Sequence, residues 1–270
     1  MILLNGKPAD CLPIADRGLQ YGDGVWETVL IKQGKAIFLE EHLQRLQWGL
    51  RQLKISLDIK QLSNDINQIL EQANENILKI IITRGAGGRG YNPAGLQQSS
   101  RILSLHPVPK FPESYQSDGI KLTLCETRLS HNPYLAGFKH LNRLEQVLAR
   151  AEFAEPFQEG LVRDYQGNII EGTMSNLFII NDNQLTTPLL NNCGIAGIMR
   201  GYIIKQLQRL SYGIEYKDNI SLADVKRADA MFMTNSVIGI WAVRQLKLKS
   251  ETIDYLPQHP IIKELRNYSV

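Results

Sequence analysis

The chain has 270 residues, 43% hydrophobic and 21% charged, with a formal net charge of +3 at pH 7. That length buries a large core, as one large domain or two smaller ones, and the composition excludes a disordered chain. The mild charge argues against a dedicated nucleic-acid surface, and the three scattered cysteines, Cys11, Cys125 and Cys193, offer neither a disulfide framework nor a metal-ligand spacing.

Met1 to Lys7 turns polar too soon for a signal peptide. No apolar run reaches the ~18 residues a membrane span needs, so the sequence predicts a cytoplasmic protein with no membrane partner. Leu3 and Leu4 before Asn5-Gly6 predict a strand entering a hairpin turn. Val25 to Lys32 is rich in β-formers, and Gln33-Gly34-Lys35 turns it back into Ala36 to Phe38. Leu43, Leu46, Leu50 and Leu53 then recur at helical spacing, and a second amphipathic helix is expected over Asp58 to Ala73. Leu78 to Thr83 and Arg101 to Leu105 read as buried strands.

Pro107, Pro109 and Pro112 predict an extended linker. The expected organisation is an N-terminal α/β domain over 1–106, a linker over 107–113 and a C-terminal domain over 114–270. Beyond the linker, Ile120 to Cys125 is expected as a strand and Asn142 to Phe153 as a helix. Short strands are expected near Gly160, Asn168, Asn176 and Gln184, then a helix over Ile198 to Leu210. The pattern is α+β without regular βαβ alternation.

Several residues carry chemistry. Lys139 follows Gly137-Phe138, which are compatible with burial. Glu171 opens Glu-Gly-Thr-Met-Ser-Asn-Leu-Phe. A free lysine titrates at ~10.4, so a nucleophilic one needs a desolvated or cationic setting. Gly197 before the helix at Ile198 lets an anion approach the first helix amides, or is a simple glycine turn. Arg45 lies off the apolar stripe of its helix, as a solvated residue or a phosphate ligand. Thr234-Asn235-Ser236 offers hydroxyls and amides at a strand end, or is an ordinary polar turn. The loop Arg84-Gly-Ala-Gly-Gly-Arg89-Gly-Tyr91 suits a carboxylate, or is a mobile surface loop. Trp48 and Trp241 are expected in the core.

Taken together, these residues resemble the fold-type IV pyridoxal phosphate enzymes. That family includes branched-chain and D-amino acid aminotransferases and aminodeoxychorismate lyases. The run from Glu171 through Asn176-Leu177-Phe178, Leu185-Thr186-Thr187 and Ile195 to Arg200 follows the family's long signature. Asp16 to Gly24 is shared by several branches. The 84–91 loop and Asn132 to Gln146 are closest to the bacterial lyase branch. The resemblance implies a two-domain fold with the cofactor between the domains, and a homodimer. It also implies that Lys139 forms the Schiff base and serves as catalytic base, while Glu171 holds the proton on the pyridine nitrogen. By the same resemblance Arg45, Gly197, Ile198 and Thr234, Asn235 and Ser236 hold the phosphate, and Arg89, Tyr91, Arg84 and Trp26 contact the substrate. Tyr91 stands where D-amino acid aminotransferases usually have histidine. Trp26 stands where the transaminases have tyrosine or phenylalanine. The implied activity is conversion of 4-amino-4-deoxychorismate to 4-aminobenzoate and pyruvate, with transamination of D-amino or branched-chain amino acids as the alternative.

Overall fold

The computed structural model describes residues 1–88, 90–95 and 98–268. It divides into two compact units, Met1–Pro109 with Phe138–Asn142, and Lys110–Gly137 with Arg143–Val270.

The first unit contains β1 (Ile2–Leu4), β2 (Lys7–Pro8), α1 (Arg17–Tyr21), β3 (Gly24–Lys32), β4 (Lys35–Ala36), α2 (Leu39–Leu53), α3 (Ile59–Leu70), β5 (Asn76–Thr83) and β6 (Ser100–Pro107). Its strands form one antiparallel sheet in the order β2-β1-β6-β5-β3-β4. Along β3, Val25, Glu27, Val29 and Ile31 share one parity and are all buried. Helix α2 packs on β3 and buries His42, Leu46, Gly49 and Leu50. Asp58 caps α3 by accepting from the Lys60 and Gln61 amides.

The second unit contains α4 (Ser114–Ser117), β7 (Ile120–Leu129), α5 (Leu144–Ala151), β8 (Glu159–Asp164), β9 (Ile169–Gly172), β10 (Asn176–Asn181), β11 (Gln184–Pro188), α6 (Ile198–Arg209), β12 (Ile214–Lys217), α7 (Leu222–Arg227), β13 (Ala230–Asn235), β14 (Gly239–Lys247), β15 (Thr252–Asp254) and α8 (Pro260–Arg266). The sheet runs β12-β11-β10-β13-β14-β7-β8-β9, with β15 on β14. Strand β9 also meets β10, so the run from β10 to β9 closes on itself and loses its free edges. Pairings β7–β14, β7–β8 and β11–β12 are parallel, which makes this a mixed sheet.

Some expected boundaries differ. Strand β6 continues to Pro107, which pairs with Asn76. A proline is tolerated there because it ends the strand. Helix α5 starts at Leu144 rather than Asn142. A single break at the proline-rich segment would leave Phe138–Asn142 with the second unit. Backbone pairing puts it with the first: the Trp26 amide donates to the Lys139 carbonyl (2.9 Å), the Leu141 amide donates to the Gly24 carbonyl (3.0 Å), and Val25 bridges His140. Trp241 lies in the core of the second unit, as expected, and Trp48 packs edge-on against Phe138. Among the described residues no helix is long and apolar enough to cross a membrane.

Gly49 lets α2 approach closely, since a Cβ there would stand 2.8 Å from Phe138 Cδ2 and 2.9 Å from Val25 Cγ1. Mid-helix Gly→Ala ordinarily gains up to ~1 kcal/mol, whereas overpacking a core costs ~1–3 kcal/mol. The second effect is the larger here. Gly49→Ala is expected to lower the unfolding free energy in urea titration. A stabilised variant would show that this contact yields without cost.

Candidate active site

Lys139 sits in the extended run paired to β3. Its neighbours Phe138 and His140 are buried, so alternation turns Lys139 the other way. Its Nζ lies 3.7 Å from the centre of the Trp26 ring, and Lys79 Nζ lies 5.1 Å from the same ring. The Trp26 indole N–H donates to the His140 carbonyl at 3.3 Å. Trp26 is thus a platform under Lys139, anchored by its own ring nitrogen.

Arg45 is not a solvated helix residue. Its guanidinium donates to Glu27 through Nε (2.7 Å) and Nη2 (2.5 Å), and His42 Nδ1 stands 2.7 Å from the same carboxylate. The cause lies in β3, where alternation drives Glu27 inward and α2 supplies both partners from successive turns. Burial alone would push the Glu27 carboxyl up, but Arg45 and His42 outweigh it and hold it below the ordinary range. Sequence reasoning passed over Glu27, although its parity with Val25 and Val29 marks it as a buried acid in need of a partner.

Glu171 is buried on β9, and its Oε2 accepts from the Ile195 amide at 2.8 Å. Around that amide the loop before α6 is hydrogen-bonded to Gly137: the Gly137 amide donates to the Gly194 carbonyl (2.9 Å), and the Ala196 amide donates to the Gly137 carbonyl (2.7 Å). Gly137 is two residues before Lys139 in the chain. Gly197 is the N-cap of α6, with no side-chain cap, so the first-turn amides Ile198 and Met199 are disposed for an anion. The Asn176 carboxamide donates to the Ile195 carbonyl (2.8 Å) and accepts from the Gly197 amide (3.1 Å). Further along the helix, Arg200 is fixed by Thr187 Oγ1 (3.1 Å) and the Pro188 carbonyl (2.9 Å).

The Thr234–Ser236 turn needs a correction. The Thr234 hydroxyl is fully buried and donates to the Gly239 carbonyl at 2.7 Å. Asn235 Oδ1 accepts from the Val237 and Ile238 amides, and its Nδ2 donates to the Met174 carbonyl. The Thr234 hydroxyl proton is thus spent inside the turn, whereas Asn235 Nδ2 keeps a second N–H beyond the one given to Met174, and the Ser236 side chain is half-buried.

Arg84 needs another. Its fork is spent on Asp23 (2.7 and 3.0 Å) and on the Leu53 and Lys54 carbonyls that end α2, so it staples the first unit rather than clamping a substrate. Arg17 shares Asp23 and donates to the Gly90 and Tyr91 carbonyls. Burial opposes ionisation of Asp23, but the two guanidiniums hold its carboxyl below the usual range. The Tyr91 ring is exposed and meets Tyr21 edge-on. Arg89 lies outside the described residues.

Glu159, also passed over, lies fully buried at the start of β8. Its carboxylate accepts from the Gly160, Thr173 and Met174 amides and from the Thr173 and Ser175 hydroxyls, which shapes the turn after Glu171. The backbone of Gly172 comes so close that a Cβ would meet Ser175 Oγ and Glu159 Oε2.

The chain belongs to the class IV aminotransferase family, whose model (Amino-transferase class IV) matches residues 24–246. It is 36% identical over 263 residues to an aminodeoxychorismate lyase of Vibrio harveyi, covering 94% of each chain. Its fold superposes with a TM-score of 0.94 on the crystal structure of 4-amino-4-deoxychorismate lyase from Pseudomonas aeruginosa, at 39% identity, covering 99% of this chain and 97% of that one. A D-alanine aminotransferase of Bacillus licheniformis is 27% identical over 278 residues, covering 98% of this chain and 94% of that one.

Glu27 gives a pH prediction. Its folded carboxyl binds a proton more weakly than the unfolded one. The stability it contributes is therefore complete above the unfolded value, near 4.5, and drains away as pH falls through the lower folded value. Glu27→Gln, which takes the carboxylate away from Arg45 and His42, should cost ~3–5 kcal/mol at pH 7 and make the acid limb of the stability curve shallower. Unfolding profiles of the two proteins that run parallel from pH 7 to pH 3 would exclude Glu27 as the source.

Proposed function

We propose that this chain is a cytoplasmic, pyridoxal 5'-phosphate-dependent lyase that converts 4-amino-4-deoxychorismate to 4-aminobenzoate and pyruvate. The observation that carries the reading is the buried Glu171 carboxylate. It is hydrogen-bonded to the loop that also grips Gly137, two residues upstream of Lys139. The chemistry of the residues suits the cofactor: Lys139 on its indole platform would hold the aldehyde carbon, Glu171 the ring nitrogen, and Gly197, Ile198, Ser236 and Arg45 the phosphate. When bound, the cofactor supplies an electron sink conjugated to the substrate nitrogen.

The chain's own residues then carry the protons. Lys139 Nζ, once released and neutral, removes the proton from C4 of the substrate, where proximity makes the transfer effectively intramolecular. The Trp26 face stabilises the resulting ammonium. That ammonium is the economical donor to the departing enolpyruvyl group. Glu171, buried on β9, would hold the proton on the ring nitrogen. Arg89 and Tyr91 are assigned to the substrate carboxylates. Similarity over nearly the whole chain to lyases at 36% and 39% identity, against 31% to a putative branched-chain-amino-acid aminotransferase and 27% to the D-alanine aminotransferase, favours elimination over transamination.

A second copy of the chain is the partner we assign to α5, where Leu144, Val147 and Leu148 form a solvent-facing apolar stripe at helical spacing. Light scattering should give twice the 30.6 kDa chain mass. Leu148→Arg should shift it towards the single-chain value. A wild-type protein of single-chain mass at micromolar concentration would remove the dimer.

Protein reconstituted with pyridoxal phosphate and given aminodeoxychorismate, without an amino acceptor, should release 4-aminobenzoate and pyruvate in equal amounts over many turnovers. No product, alongside rapid turnover of alanine with a keto acid, would make the chain an aminotransferase instead. Lys139→Ala should lose the absorbance of lysine-bound cofactor and at least ~10²–10⁴-fold in turnover. Undiminished lyase turnover by that variant would dismiss Lys139 as the base.

A further inference from the structure

We propose that Asn176 is the positioning residue that ties Glu171 to the Gly197 end of α6, so that recognition of the cofactor's ring nitrogen and of its phosphate are set by one side chain. The inference rests on the cofactor reading above and adds to it a coupling between two parts of the site.

The sheet places Asn176 between the relevant strands. It is in register with Glu171 on β9 and with Thr234 on β13, and antiparallel partners share a face. Glu171, Asn176 and Thr234 therefore form one row, with the ring partner at one end and the start of the Thr234–Ser236 turn at the other. Across this row Ile195 is held at both of its peptide groups: its N–H donates to Glu171, and its C=O accepts from Asn176 Nδ2. The other end of the same carboxamide, Oδ1, takes the Gly197 N–H, the last amide before α6 begins.

The chemistry demands a carboxamide. At this side-chain length a carboxamide presents an N–H donor and a C=O acceptor on one rigid plane without a charge. Aspartate would keep the acceptor for Gly197 but set a second negative charge against the Ile195 carbonyl and beside the Glu171 row. Alanine would release both contacts. Glycine at 197 is required by the same clasp, since a Cβ there would run into Asn176 Oδ1. Asn176 is 5% exposed, so water does not readily replace the lost bonds.

The test titrates the full-length, cofactor-stripped chain with pyridoxal 5'-phosphate and, separately, with pyridoxal, which lacks the phosphate. Lyase turnover is then read at saturating cofactor. In Asn176→Ala we expect the affinity for pyridoxal phosphate to fall roughly ten- to a hundredfold, the size of two lost hydrogen bonds. We also expect the ratio of pyridoxal phosphate to pyridoxal affinity to fall, reporting a displaced phosphate cradle, and kcat to fall, reporting a displaced Glu171. Asn176→Asp should move both readouts in the same direction. A folded variant with wild-type values of both, or a change in only one, overturns the coupling. If Asn176→Ala does not fold, Gly197→Ala perturbs the same clasp from the helix side and is read identically. A wild-type chain that binds no pyridoxal phosphate sinks the cofactor reading and this inference with it. Wild-type binding with unaffected variants removes only the role of Asn176.

Discussion

Buried carboxylates impose the constraint on which the rest of this structure depends. An ionised acid taken out of water must find donors or a cation, and the surrounding chain is arranged to provide them. Asp16 takes the Gly18 amide and the hydroxyls of Thr83 and Ser100, fixing α1 against the ends of β5 and β6. Glu27 takes a guanidinium and an imidazole from α2. Glu159 takes only neutral donors and thereby folds the turn that follows Glu171. Glu171 draws in the Ile195 amide and, with it, the loop leading to α6. Each acid makes the local backbone conformation a condition of its own burial, so the geometry around the assigned cofactor residues is over-determined.

This explains why the local placement of some residues was legible in the sequence and the partners of others were not. Lys139, Glu171 and the Gly197-Ile198 helix start belong to contiguous strings whose local structure follows from their own neighbours, and the structure puts them on a paired run, a strand and an N-cap. Arg84 belongs equally to a legible string, a glycine-rich loop with two arginines. Its destination, however, is Asp23 and the carbonyls closing α2, which are remote in sequence and show no periodicity that points to it. Thr234 and Asn235 read as free hydroxyl and amide for the same reason. Only the strand register with Gly239 and the proximity of Met174 reveal that both side chains are already engaged.

The domain organisation was opaque at one point for a related reason. Composition marks the proline-rich segment as a break, but no local feature of Phe138–Asn142 announces that it pairs with β3. Strand addition between segments far apart in the chain is a long-range decision, made by backbone groups that look alike at every position. Here it decides where the lysine goes.

Two consecutive residues of β3 show how much follows from that decision. Alternation sends the Glu27 side chain into the core beneath α2 and the Trp26 side chain to the opposite face. On one side Glu27 locks Arg45 in a bidentate pair. On the other, Trp26 carries Lys139 on its ring, while its backbone amide and indole N–H hold the Lys139 and His140 carbonyls. One strand register thus aims both cations assigned to the cofactor in this unit. A slip of β3 by a single residue would exchange its faces, placing the acid under the lysine and the indole under the arginine. The eight-pair ladder from Gly24–Thr83 to Ile31–Asn76 against β5 resists that slip, and the apolar residues at 25, 29 and 31 resist it again, because each would have to leave the core. The orientation of the reactive amine is thereby tied to the stability of the sheet itself.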